Sequence, residues 1–253
     1  MGEKRRIRKA GCLGAALVAA SIAAFPAIAC SFHTYLPERT AVDWMVDSTD
    51  LVLARPDPQN EFAYKVVEVL RGNALDAKLS FLVDSTSRQK LKSHPDEAVL
   101  FARDVDGSWI RVAYIDADFR AVMERVLAQS PSWEAGFDAK RFSIFADLQD
   151  HPDPELRRLA LREIDKAPYG LLRDIDLRLR PDDLLDDLWR PQEYPYQPIR
   201  VLLLGLSGSE EARSEVHDFI DRVSKWDWAN NLGAFATALI ELDGAEGVAL
   251  LEE

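Results

Sequence analysis

The sequence predicts an α+β chain of two domains: a small antiparallel β-barrel over residues 30–129, then an α-solenoid of helical pairs over residues 134–253. Three observations carry that expectation. Between Asp50 and Ile115 the apolar runs are short and rich in β-branched and aromatic residues. From Phe137 onward, apolar residues recur at the spacing of one helix face. Roughly 45 residues separate a helix around Arg157 from one around Arg200, the scale of a helical repeat.

Residues 1–29 read as an export signal. Five basic residues (Lys4, Arg5, Arg6, Arg8 and Lys9) precede an uncharged run from Ala10 to Ala29, which closes on Pro26 and Ala27-Ile28-Ala29. A run of that length also has the reach of a retained membrane anchor. Cys30 follows at once. Ala27-Ile28-Ala29-Cys30 resembles the lipobox of bacterial lipoproteins, with Ala27 where that family prefers Leu. The resemblance implies a diacylated Cys30, stable membrane attachment and, through Ser31, outer-membrane sorting. Simple cleavage with a free Cys30 thiol is the alternative. Cys12 lies in the signal, so after cleavage Cys30 is the one cysteine left.

The strands follow in order. Asp50–Arg55 is the first, ending at the breakers Pro56-Asp57-Pro58. Phe62–Leu70 is the second, punctuated by Arg71-Gly72-Asn73. Leu79–Val83, Ala98–Arg103 and Trp109–Tyr114 complete five, the last two joined by Asp104-Val105-Asp106-Gly107-Ser108, a hairpin signal. A helical lead-in is expected at Arg39–Val46. The stripe Phe119, Val122, Met123, Val126 and Leu127 predicts a helix that packs on the barrel. The Cys30-Ser31-Phe32 start, the lead-in helix, "DLVLAR", "EFAYKVVEVLRG" and "EAVLFAR" together resemble the netrin-like module, the OB-type barrel of tissue inhibitors of metalloproteinases. In that family a mature N-terminal cysteine binds a protease zinc. Here Phe32 stands where the family's second cysteine falls.

The second half is helical. Residues 138–148 carry Phe142, Ile144, Phe145 and Leu148. Next, Asp153 is placed as an N-cap and Pro154 at the first helical position, with Leu156, Leu159, Ala160 and Ile164 as the buried stripe. Asp-Pro before a helix, Arg one turn in and then Ala-Leu resembles the second helix of a HEAT repeat. That resemblance gives Asp153 and Arg157 the role of tying adjacent repeats together. Further helices are expected at 167–175, 181–189 and 198–206, from Ser209 with Val216, Phe219, Ile220 and Val223 inward, and at 228–242. The alternative to stacked pairs is a compact helical bundle. Solenoids end in a polar capping repeat, and none is visible before Glu253.

Function is read mainly by exclusion. Lys plus Arg number 31 against 43 Asp plus Glu, a formal charge of -12, which argues against nucleic-acid binding. Removing residues 1–29 takes away five bases and one acid, so the remainder is more acidic still. His33, His94, His151 and His217 form no close metal pair. Gly205-Leu206-Ser207-Gly208-Ser209 lacks the lysine of a phosphate loop and the spacing of a nucleophile elbow. Asp182, Asp183, Asp186 and Asp187 read as a charged helix start favoured by the dipole. No cofactor or metal is expected. Tyr194, Tyr196, Trp226 and Trp228, on loops between helices, are the candidate binding anchors, or else covers for hydrophobic edges.

The expected protein is exported to the cell envelope or periplasm and lipid-anchored through Cys30, or else secreted and soluble. It binds or scaffolds a protein partner without catalysis, across an acidic concave face suited to basic or mixed-charge segments. Two other readings stay open: an inhibitor of a secreted zinc metalloprotease acting through Cys30, and an envelope hydrolase assembled from scattered carboxylates.

Overall fold

A computed structural model describes residues 39–133, 139–225 and 230–252. The chain first forms helix α1 (Ala41–Asp47), started by a capping box. Thr40 accepts from the Asp43 amide, and the Asp43 carboxylate accepts from the Thr40 amide at 2.7 Å. Strands β1 (Leu51–Asp57), β2 (Asn60–Arg71) and β3 (Leu79–Leu82) follow, then helix α2 (Ser85–Ser93), then β4 (Ala98–Arg103) and β5 (Trp109–Ile115). All pairings are antiparallel, in the order β3-β2-β1-β4-β5. Edge strands β3 and β5 approach each other without pairing, so the sheet is a curled half-barrel.

Strands β1 and β4 are buried on both faces, which is why their sequences run apolar without alternation. Leu51, Leu53, Leu100 and Ala102 point to one core; Val52, Ala54, Val99 and Phe101 point to the other. The second core is the hollow of the curl. Tyr64 meets Phe101 there edge-on at 5.0 Å between ring centroids, and Leu91 of α2 belongs to the same core.

The β1 strand runs past the expected stop at Pro56. Its pairing with β4 ends at Ala54, so Pro56 has a ladder on one side only and its missing N–H breaks no second bond. The hairpin between β4 and β5 forms as expected. Asp104 N–H bonds Ser108 O at 2.8 Å, and Gly107 takes φ of 85°, a value open to glycine. Val105 N–H bonds the Asp104 carboxylate, and Ser108 N–H bonds the Asp106 carboxylate. This net of bonds presents Val105 fully exposed at the tip.

Helix α3 (Ala117–Gln129) buries Phe119, Val122, Met123 and Val126. Then come α4 (Ala139–Ala146), α5 (Pro154–Ile164), α6 (Tyr169–Leu172), α7 (Pro181–Leu188), a 3-10 turn at Pro191–Tyr196, α8 (Gln197–Ser207), α9 (Glu210–Val223), α10 (Leu232–Asp243) and α11 (Ala245–Glu252). Asp153 caps α5 and Ser209 caps α9. The apolar run of α8 makes it the hub of this half. It packs on α5, α7, α9 and α10. Gly205 permits the α10 contact: a Cβ there would lie 2.8 Å from the Ala238 backbone.

The period change near residue 130 does not part the core. One contiguous apolar cluster runs from Val42 and Leu51 through Val126 and Phe145 to Leu204 and Leu239. The described residues lie in one compact unit. A polar clamp crosses the same junction. Glu163 of α5 is fully buried and accepts from Thr40 Oγ1, from Arg141 Nη2 at 2.8 Å and from Lys166 Nζ at 2.6 Å. Lys166 also bonds Asp43 at 2.7 Å. The start of α1 is thereby tied to α5, 123 residues away.

Truncating Glu163 removes the buried carboxylate that Thr40, Arg141 and Lys166 share, and leaves Asp43 as the partner of both cations. Glu163→Ala is expected to lower unfolding free energy by about 1.5–3 kcal/mol. Because the core is continuous, sheet circular dichroism and tryptophan fluorescence should report one coincident transition in denaturant.

Candidate functional site

A groove of about 670 Å³ lies at the junction. Its walls are β5, through Ile110, Arg111, Val112 and Ala113, the start of α1, and the outward face of α5. The site follows from local structure. On α5 the apolar stripe turns Leu156, Ala160 and Ile164 into the core, which leaves Glu155, Arg158 and Arg162 on the groove side. On β5 a register shift opposite Leu100 and Phe101 leaves Val112 unpaired, so Arg111 and Val112 are both brought to the groove.

Four arginines line it, Arg39, Arg111, Arg158 and Arg162, against two carboxylates, Asp104 and Glu155. Three of the arginines are held in place by carboxylates. The Arg39 guanidinium lies 3.8 Å over the Trp44 ring and bonds Asp47 at 2.8 Å. Arg111 reaches Asp84 at 3.3 Å and the Ser87 hydroxyl at 3.2 Å. Arg158 bridges Glu155 and the buried Glu193. Between these charges the surface is apolar, from Trp44, Phe119 and Leu159. Fixed guanidinium edges beside an apolar strip can donate to carboxylate oxygens in bidentate fashion.

Behind the groove wall lies a second polar network. Glu193 accepts from Arg158 Nε at 2.9 Å and from Arg200 Nη2 at 2.7 Å. Burial pushes the Glu193 carboxyl up, but hydrogen bonds from Arg158 and Arg200 outweigh it and hold the group below its ordinary 4.5. Nearby, Gln197 of α8 donates to the Leu188 carbonyl and accepts from Asn231 at 2.7 Å, a buried link to the start of α10.

The expected anchors are distributed unevenly. Tyr196 is buried and lines the groove, and burial raises its hydroxyl. Tyr194 is part exposed and accepts from Asn230 at 2.5 Å, away from the groove lining. Cys30, Trp226 and Trp228 lie outside the described residues. Asp153 caps its own helix, and Arg157 donates to the His151 and Pro152 carbonyls at 2.7 and 3.0 Å, so both bond within one turn. An aromatic cluster that the sequence reading passed over is Trp189 with Phe219 and Phe235, with centroids 6.0 Å from Trp189 in each case. Trp189 Nε1 donates to Glu215 at 2.9 Å. The groove arginines come from three distant stretches, so no motif announces them. The one local signal is Arg158 and Arg162, four apart on the polar face of α5.

Asp182 and Asp183 sit in the first turn of α7 as expected, whereas Asp187 is buried and paired with Arg190 at 2.8 Å. Among the described residues no group of three metal-ligating side chains comes together. Nor is any described helix long and apolar enough to cross a membrane.

No family model, curated protein or solved structure matches this chain.

Asp43 of the α1 clamp behaves like Glu193: burial raises it, and bonds from Lys166 and the Thr40 amide hold it below 3.8. Both carboxyls bind protons less readily folded than unfolded. Their stabilisation is complete above those ordinary values, erodes below about pH 4.5 and is lost as pH falls through the depressed folded values. Denaturation midpoints should therefore fall as the pH drops below about 4.5. Glu193→Gln should flatten that fall.

Proposed function

We propose that the protein is a non-catalytic binding module of the cell envelope. It is exported by its leader, lipid-anchored at Cys30, and docks an extended, acidic segment of a partner protein in the arginine-lined groove. The observation that carries this reading is the groove itself: four arginines line it beside an apolar strip, in a chain of net charge -12. Charge complementarity of that kind selects partners and speeds encounter. The partner charge differs from the one expected of an acidic helical surface. Overall acidity is spread over the exterior, while the concavity concentrates arginine.

The frame suits such a role. Five antiparallel strands in a partly open curl, with a helix between the third and fourth, support an OB-type reading of the sheet. The packing of α7, α9 and α10 around α8, with Asp-Pro opening α5, supports a HEAT-like reading of the helices. Asp104 and Glu155 are each faced by an arginine, at 3.8 Å from Arg39 and 2.5 Å from Arg158, which suits positioning better than proton transfer.

Two measurements test the reading. A fluorescein-labelled decapeptide of alternating Glu and Val should bind the mature protein, and its Lys-Val counterpart should not. Arg39→Ala with Arg162→Ala should weaken binding by about tenfold or more, since a charge-assisted hydrogen bond is worth about 1.5–3 kcal/mol. Equal binding of both peptides, or unchanged affinity in the double variant, overturns the groove assignment. Intact mass of the protein from membrane fractions should show Cys30 as the N-terminus carrying acyl chains. An unmodified thiol there overturns the anchor.

A further inference from the structure

Beyond the groove, the junction of α5, α7 and α8 encloses a crevice of about 20 Å³. That volume admits one particle the size of a water molecule. Arg157, Arg180 and Arg200 line it, together with Gln149, Asp183 and Asp187. Arg200 is the buried member, its side chain 5% exposed. Its Nη2 bonds Glu193 at 2.7 Å and faces Asp187 at 3.4 Å. Its Nε is buried with no hydrogen-bond partner, an arrangement native proteins avoid unless something unseen accepts the bond.

The local charge does not balance. Arg158 is paired with Glu155 and Glu193, Arg180 with Asp183 at 3.1 Å, Arg190 with Asp187, and Arg200 with Asp187 and Glu193. Arg157 bonds only the carbonyls of His151 and Pro152; among the described residues no carboxylate pairs with it. Among the residues that line the crevice, three arginines face two carboxylates, which leaves one positive charge there. Water would satisfy Arg200 Nε but leave that charge. The space suits a single small particle better than a carboxylate, phosphate or sulfate. A monatomic anion meets both requirements.

We infer that this crevice is a halide site, occupied by chloride in physiological salt, which accepts from Arg200 Nε and offsets the charge of Arg157. The ion closes the polar network where three helices meet.

The test uses the full mature chain at constant ionic strength, with sodium gluconate replaced stepwise by sodium chloride or bromide. The unfolding midpoint should rise by about 2–8 °C and saturate, as for a bound ligand. Arg157→Gln should abolish the rise. Crystals grown in bromide should show anomalous scattering between Arg157 and Arg200. Midpoints that are equal in the two salts, or a chloride effect intact in Arg157→Gln, overturn the site. So does a bromide-grown crystal holding only water there. If Arg157→Gln fails to fold, the bromide crystal of the unaltered protein decides alone.

Discussion

Strands β1 and β4 bury both of their faces, and the other layers are arranged to cover them. One face is closed by the curl itself, where Tyr64, Phe81 and Phe101 pack together and Leu91 of α2 adds the lid. The opposite face cannot be closed by two short helices alone. It draws in α1 and α3, and through them α4 and α5 join the same apolar cluster. Removing apolar area from water favours this merger, because a single large core exposes less surface than two small ones. The helical half is therefore part of the sheet's own packing as well as an addition to the chain.

Within that core the few buried polar groups are placed where elements from distant sequence meet. Glu163 sits at the meeting of α1, α4 and α5, and Glu193 at the meeting of α5, the 3-10 turn and α8. Each acid is surrounded by cationic or hydroxyl donors. Apolar contacts tolerate sliding, whereas a buried carboxylate with two or three fixed donors does not. These two residues set the angle at which α5 lies against its neighbours. The α5 surface facing outward then fixes the spacing of Arg158 and Arg162 in the groove.

Much of the secondary structure was legible because each element carried its own periodicity. The five strands, the Asp-Gly hairpin, and the capped starts of α5 and α9 could be read from a few residues each. Helix α2 was not, because its segment Ser85–Ser93 is polar and buries only Ser87 and Leu91. Its start is marked by the Asp84 cap, whose bonds to Ser87 hold the carboxyl at about 2. A single division near residue 130 was expected because the pattern changes there; periodicity reports local geometry, not which cores merge. The groove was unreadable for a related reason. Arg39, Arg111 and the α5 arginines meet only after the chain has folded, and each alone looks like an ordinary solvated base. The buried acids were hidden too, since Glu163 falls one residue off the apolar stripe.

The β4–β5 turn has a further consequence. Val105 stands fully in solvent at a loop tip, the kind of place where proteolytic nicking concentrates. Yet cleavage requires the backbone to enter a protease cleft in extended form. Here the Asp104 and Asp106 side chains and the Arg103 bond to the Gly107 carbonyl at 3.2 Å hold it coiled. The tip is thus open to solvent yet held in a shape that resists entry into a protease cleft.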